Sequence, residues 1–234
     1  MFPIQVVFFS AAIALLTGCT STMQARDVQP SSYLAGYRSE LKQGPKEGAL
    51  QAYKNPKANW TAYHKILLAP VIIWDGGPSN LDRQQRGDLQ RLADSFYNML
   101  YLRLADDYEM VEKPSADTLR IQVAITHAEK AWVAPALASK VIPQLRAADT
   151  LWSFASGKPA FAGEIAIEFK VHDAQTAELL AAGADRRVGG QSLIDKEVLN
   201  SWGDVKNSLE FWTEGAAYRL CVLRGATGCV EPRA

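Results

Sequence analysis

Two segments in the second half of the chain alternate apolar and polar residues in a way that only a β-strand accommodates. They are residues 118–127, "TLRIQVAITH", and residues 161–172, "FAGEIAIEFKVH". Successive side chains of a strand point to opposite faces, so each segment predicts a strand with one buried face. A sheet with one apolar face needs a second layer to cover it, and this requirement limits the folds open to the chain.

The rest of the chain supplies that layer and further strands. Apolar residues recur at three- and four-residue steps over 82–105 and again over about 203–223, which predicts two helices. Short β-branched or apolar runs predict the remaining strands, at 63–74 (interrupted by Pro70), 108–112 and 178–188. The predicted fold class is α+β, with one mixed, largely antiparallel sheet of about five strands and two main helices packed on it.

The N-terminal segment is predicted to lie outside this fold. From Ile4 to Leu16 there are 13 mostly apolar residues without a charge, too few for a membrane span of about 20 residues but typical of a signal peptide. The four residues from the end of this run, Leu16 to Cys19, resemble the bacterial lipobox, whose cysteine is diacylated, exposed as the new N-terminus and acylated again. The sequence therefore predicts a lipoprotein signal peptide over 1–18 and lipidation, with palmitate-type chains, at Cys19.

The residue after the cysteine bears on the final location. In lipoproteins of this type an aspartate at that position tends to retain the protein at the inner membrane. Here the residue is Thr20, so the resemblance implies the outer membrane, with the protein facing the periplasm. Three acyl chains would make the attachment effectively permanent. The polar composition of the next stretch predicts a flexible tether over 19–31, followed by a single α+β domain over 32–234.

Composition excludes some classes of partner. The 25 basic residues balance the 25 acidic ones, so no global field would attract nucleic acid. The sequence also lacks a phosphate-binding loop, an HExxH zinc motif, a nucleophile elbow and a dinucleotide fingerprint. Glu164 and Glu168 share one face of a predicted strand, but four strand residues separate them by roughly 13 Å, beyond the about 5–9.5 Å that two-carboxylate hydrolysis requires. We expect no enzymatic activity, no metal and no cofactor.

Two cysteines remain in the mature chain, Cys221 and Cys229. The periplasm is oxidising, and the spacing differs from the C-x2-C pairs of zinc sites. A disulfide is therefore predicted, with two free thiols as the alternative. The bridge would close a loop of about nine residues and stabilise the fold by about 2–3 kcal/mol.

Four stretches resemble the bacterial outer-membrane lipoprotein family known as domain of unknown function 3313. They are "SYLAGYRSEL", "YHKILLAPVIIW", "HDAQTAELLAAGADRRVGG" and "SWGDVKNSLEFW", and the most specific pieces are "ADRRVGG" (184–190) and "WGDVK" (202–206). The resemblance covers nearly all of the mature chain. It implies the same cellular location and the same domain, and it brings no assigned activity.

Two candidate binding regions remain. Arg186 and Arg187 are adjacent in a predicted strand and should point to opposite faces, so an ion pair within the hairpin and a ligand-binding arginine are both open. The segment 131–158 is apolar but contains two prolines, and it carries Trp132 and Trp152. It either packs on the sheet as additional core or forms a surface for a partner protein or the membrane interface.

The predicted function follows from location more than from chemistry. We expect a lipid-anchored, periplasm-facing outer-membrane lipoprotein that acts as a non-catalytic binding or accessory component and contacts another envelope protein. A small-molecule or lipid carrier is the alternative, and it would need an apolar cavity of about 300 Å³ or more. A cell-wall hydrolase is the third possibility.

Overall fold

In the computed structural model, two long helices lie on one face of a mixed sheet. The structure describes residues 22–45, 48–74, 83–130, 162–189 and 202–233. The helices are α1 (Arg83–Leu104) and α2 (Gly203–Leu223), and two short 3-10 helices span Ser32–Tyr37 and Trp60–Ala62. The strands are β1 (Thr22–Gln24), β2 (Lys42–Gln43), β3 (Gln51–Lys54), β4 (Lys65–Leu68), β5 (Ile72–Ile73), β6 (Glu109–Met110), β7 (Thr118–Glu129), β8 (Glu164–Asp173) and β9 (Leu179–Gly189).

The three longest strands, β7, β8 and β9, form the antiparallel centre of the sheet. The strand order is β2-β3-β9-β8-β7-β4-β6, while β1 also pairs with β9 and β5 also pairs with β7. The pairs β4–β6, β4–β7 and β5–β7 are parallel, and the other pairs are antiparallel. The sheet is therefore mixed, as the sequence predicts.

The main core lies between the sheet and the two helices. The apolar face of β7 is buried there, together with the alternate residues Ile165, Ile167 and Val171 of β8. The periodic positions of the helices face the same core, including Phe96 of α1 and Leu209 of α2. Both helices were predicted within one residue of their bounds, because periodic burial along a long segment is a strong signal.

The number of strands was underestimated, since the described residues form nine strands where about five were predicted. Pro70 divides the predicted strand 63–74 into β4 and β5, which both pair with β7. The additional strands β1, β2 and β3 have two to four residues each and lie on the β9 side of the sheet. Strands this short show no clear alternation of apolar side chains, so they carry little signal in the sequence.

The predicted tether over 19–31 needs correction, because its residues 22–31 belong to the folded domain. β1 pairs with β9, and the Ala25 amide donates to the Arg186 carbonyl at 2.9 Å. Ala25 and Val28 are buried. The polar composition of this stretch suggested free chain, but backbone pairing and two small apolar contacts are sufficient to order it. Residues 1–21 lie outside the described part of the chain.

The face of the sheet away from α1 and α2 carries a second, smaller core. Leu34 of the first 3-10 helix is fully buried against Ala182 and Ala184 of β9, with Val28 beside them. The chain between β1 and β2 therefore crosses the back of the sheet.

Candidate functional site at one end of the sheet

Several elements begin or end together at one end of the sheet, which we call the proximal end. Thr22, at the start of β1, pairs with Gly189, at the end of β9. Glu164, at the start of β8, pairs with Val188 and with Glu129 at the end of β7. The strand directions therefore place two sets of residues at this end: those on either side of 131–161 and those just before 190–201. The opposite, distal end contains the β8–β9 turn.

The first strand is attached to the proximal end by buried side chains. Arg187 donates from its Nη2 to the Thr22 carbonyl at 2.7 Å and from its Nε to Thr22 Oγ1 at 3.2 Å. Thr22 Oγ1 and Ser208 Oγ of α2 lie 2.9 Å apart, so β1 is also connected to the helix layer. The Arg187 guanidinium packs 3.5 Å from the Phe211 ring centroid. Arg187 is only 3% exposed, and these contacts hold the start of β1 in place.

A buried carboxylate lies two residues before Arg187 along β9. Asp185 accepts hydrogen bonds from Trp212 Nε1 at 2.7 Å, Gln24 Nε2 at 2.7 Å and the Leu50 amide at 3.1 Å. Burial raises the pKa of the Asp185 carboxyl, while these three donors and the nearby Arg187 oppose that rise. The carboxylate connects β1, the loop before β3, β9 and α2, and its role is structural.

The start of α2 is fixed to the sheet by Asp204. Its Oδ2 accepts a hydrogen bond from the Gly163 amide at 2.8 Å. A Cβ atom at Gly189 would overlap this carboxylate, so the last residue of β9 must be glycine for the helix to approach so closely. The first of the two glycines in the "ADRRVGG" stretch thus has a packing reason.

A cation and an indole lie together where β7 ends. Lys130 Nζ forms an ion pair with Asp88 Oδ2 of α1 at 2.7 Å and lies 5.1 Å from the Trp202 ring centroid. Trp202 Nε1 donates to the same oxygen, Asp88 Oδ2, at 3.4 Å. The hydrogen bond from Lys130 is the main reason why the pKa of Asp88 is lowered. Both Lys130 and Trp202 remain partly exposed.

The back of the sheet carries a second ionic group at the proximal end. Arg186 Nε pairs with Glu164 Oε1 at 2.7 Å, and His127 Nε2 lies 3.4 Å from the same oxygen. Glu164 is 3% exposed, and its bond to Arg186 raises the pKa of that guanidinium. Farther along β8, Glu168 accepts a hydrogen bond from the Ser31 amide. The two glutamates share a face, as predicted, and each is used to hold neighbouring chain.

The predicted site residues have different outcomes. Arg186 and Arg187 point to opposite faces of β9, as the period of a strand predicts, and Arg186 forms the ion pair with Glu164. Cys221 and Cys229 form the predicted disulfide, which lies at the distal end. Cys19, Trp132 and Trp152 lie outside the described residues. Sequence reasoning did not connect Thr22, Asp185, Asp204, Ser208 and Trp212 with one another, because only long-range packing brings them together.

The disulfide borders a cavity of about 380 Å³ at the distal end. Its lining includes Arg103, Asp107 and Arg224, and these three are already connected to one another. The size satisfies the requirement for a carrier, but the charged lining does not suit an apolar cargo.

Within the described ranges, no three histidine, cysteine, aspartate or glutamate side chains are grouped to hold a metal ion. In the same part of the chain no helix has the length and apolar character needed to cross a membrane.

A family model described as a protein of unknown function, DUF3313, matches residues 29–216, which is well over half of the chain. No protein with a curated description matches the chain.

Several solved structures show a distant similarity. The PelC dodecamer from Paraburkholderia phytofirmans is 10% identical with a TM-score of 0.36, and the match covers 75% of this chain and 95% of that one. A DUF330 protein from Xanthomonas campestris is 12% identical with a TM-score of 0.39, covering 74% and 91%. A DUF4136 protein from Bacteroides thetaiotaomicron is 12% identical with a TM-score of 0.34, covering 70% and 94%. These similarities are too distant to indicate a function.

Proposed function

The chain belongs to the family of proteins of unknown function DUF3313, and we propose that it is a lipid-anchored outer-membrane lipoprotein that faces the periplasm. The observation that carries this proposal is the segment Leu16–Cys19, which resembles a lipobox and lies at the end of a 13-residue apolar run. The described part of the chain begins at Thr22, the first residue of β1. Cleavage before Cys19 would therefore remove the apolar run and leave the described domain whole.

Binding rather than catalysis is the second part of the proposal. The buried charged groups at the proximal end are engaged in holding elements together: Asp185 with three donors, Glu164 with Arg186, and Arg187 with Thr22. A catalytic acid or base needs access to a substrate proton, whereas these carboxylates are buried within the fold. The protein would then serve as an accessory component that contacts another envelope protein.

The anchor is tested by replacing the cysteine and its neighbour separately. Cys19→Ser should abolish incorporation of a radiolabelled acyl chain and leave the protein uncleaved or mislocalised. Thr20→Asp is the matched control, since it should keep acylation but retain the protein at the inner membrane. Unchanged acyl labelling and outer-membrane fractionation of Cys19→Ser would refute the proposal.

The partner surface is proposed to include Trp132 and Trp152. They lie outside the described residues, in the segment between Lys130 and Gly163. Truncating a tryptophan at a binding hot spot can cost 2 kcal/mol or more of binding free energy. We expect Trp132→Ala and Trp152→Ala to weaken copurification with an envelope protein without lowering the melting temperature. Core packing would instead cost about 3–5 kcal/mol of stability, so early unfolding of both variants would refute this assignment.

A further inference from the structure

The distance between the proposed acylation site and the folded domain is very short. Only Thr20 and Ser21 separate Cys19 from Thr22, the first residue of β1. Three Cα–Cα steps span at most roughly 11 Å even when fully extended. The start of β1 can therefore not move farther than this from a cysteine whose acyl chains are inserted in a bilayer.

The attachment point is rigid on the protein side. Thr22 is paired with Gly189 and bonded through its carbonyl to Arg187 and through its hydroxyl to Ser208. These contacts join it to the central strand β9 and to α2, so β1 cannot lengthen the spacer without breaking buried hydrogen bonds. We propose that the proximal end of the sheet is a membrane-contacting surface, whose occupant is the phospholipid headgroup layer that holds the anchor. This inference rests on the proposed acylation of Cys19.

The side chains at the proximal end suit a headgroup layer. Trp202 and Lys130 lie together there and are partly exposed, and tryptophan and lysine are typical of the interface between membrane and water. Met23, next to the attachment point, is 41% exposed. Exposed charges of both signs are also present, with Lys206 on α2 and Glu129 at the end of β7. Because the exposed charges at this end are of both signs, we expect contact with the membrane to depend on the length of the spacer and only weakly on the content of anionic lipid.

The sheet provides a molecular ruler for a test. β8 runs from the proximal end at Glu164 to the distal end at Asp173, and ten strand residues cover roughly 30 Å. A probe at the proximal end should thus approach the headgroups, and a probe on the β8–β9 turn should stand well away from them. Lys206 and Gln175 are suitable positions, because both side chains are exposed.

The experiment uses the full acylated protein reconstituted in phosphatidylcholine vesicles that contain a nitroxide-headgroup lipid. A thiol dye is attached at Lys206→Cys or at Gln175→Cys; the native Cys221 and Cys229 are joined in a disulfide and do not compete. We expect quenching of the dye at position 206 to be several-fold stronger than at position 175. Equal quenching, or stronger quenching at position 175, would overturn the inference.

A spacer variant provides the control. Twelve glycine and serine residues inserted between Ser21 and Thr22 would give the tether a reach of roughly 20 Å, and we expect the difference between the two positions to shrink. Vesicles with added phosphatidylglycerol should give the same contrast; a contrast that requires the anionic lipid would contradict an anchor-imposed contact. Mass spectrometry of each preparation separates the two proposals. An unacylated chain refutes the proposed function, whereas an acylated chain without the contrast refutes only the orientation.

Discussion

The two ends of the sheet are held together in different ways. At the distal end several contacts are local: Asp173 Oδ1 accepts from the amides of Gln175 and Thr176, and the disulfide joins cysteines eight residues apart. Distant contacts, such as the ion pair between Arg224 and Asp107, lie beside them. At the proximal end the contacts are distant in sequence, and the Thr22–Ser208 pair spans 186 residues. Part of the distal end is therefore fixed by neighbouring residues, whereas β1 is held at the proximal end by residues distant in sequence. The end at which β1 is held in this way is also the one at which the proposed anchor attaches.

The largest effect on this comparison should come from removing the carboxylate at the proximal end. Asp185→Ala leaves the donors of Trp212, Gln24 and Leu50 without an acceptor. At about 1 kcal/mol for each lost hydrogen bond, we expect a loss of about 3 kcal/mol in the free energy of unfolding. Chemical denaturation measures this loss. Lys206→Ala, on the exposed side of α2, is the control and should change stability by less than about 0.5 kcal/mol; equal effects of the two variants would contradict the structural role of Asp185.

The next effect concerns the disulfide at the distal end. Replacing Cys221 and Cys229 by serine should lower the free energy of unfolding by about 2–3 kcal/mol, since the bridge restricts the unfolded chain. Reduction of the native protein should produce the same loss. A reduced native protein as stable as the oxidised one would show that the distal end does not depend on the bridge.

The two ends should also respond to pH in opposite directions. Burial raises the pKa of Asp173, but the amides of Thr176 and Gln175 and the Tyr63 hydroxyl outweigh it, so the pKa of Asp173 lies below its ordinary value of 3.8. Its stabilising contribution is present above pH 3.8 and is lost as the pH falls through the lowered pKa. Burial raises the pKa of Asp185. The buried site favours the neutral carboxyl, which is fully present below pH 3.8. The free energy of unfolding therefore decreases as the pH rises from 3.8 through the raised pKa.

Asparagine substitutions separate these contributions. Asp173→Asn should flatten the loss of stability on the acid side, and Asp185→Asn should remove the decrease that occurs above pH 3.8. Thermal unfolding measured across the acid range compares each variant with the native chain. The same change of profile in both variants would contradict the opposite environments of the two carboxyls.

The smallest effect is expected in the β8–β9 turn. Ala177 has a φ of 60°, a left-handed conformation that is unfavourable for a residue with a Cβ atom. Ala177→Gly should therefore raise the free energy of unfolding by about 0.5–1 kcal/mol, after allowing for the greater freedom of glycine in the unfolded chain. Ala174→Gly in the same turn is the control and should not stabilise the protein. A destabilised Ala177→Gly variant would mean that the turn is not strained.

The same difference between local and distant contacts explains what the sequence predicts. The helices, the central strands and the disulfide follow from spacing within a few residues, because periodic burial and cysteine context are local properties. The alternation of a strand also places Arg186 and Arg187 on opposite faces. Which of the two is buried depends on Phe211 and Thr22, and both are distant in sequence.

The unpredicted features have a common physical origin. β1, β2 and β3 are short strands on the β9 side of the sheet, and their side chains show no clear alternation. The Asp185 cluster contains residues 24, 50 and 212, which nothing in the sequence connects. The short spacer after Cys19 became visible only once β1 was located at Thr22.

The central claim is that a lipid anchor at Cys19 holds this domain at the membrane. The most direct test is the intact mass of the mature protein, extracted from membranes with detergent, together with the mass of its N-terminal peptide. The account predicts a chain that begins at Cys19 and carries acyl groups on that residue. A mature chain that retains residues 1–18, or begins at Cys19 without any acyl group, would contradict it.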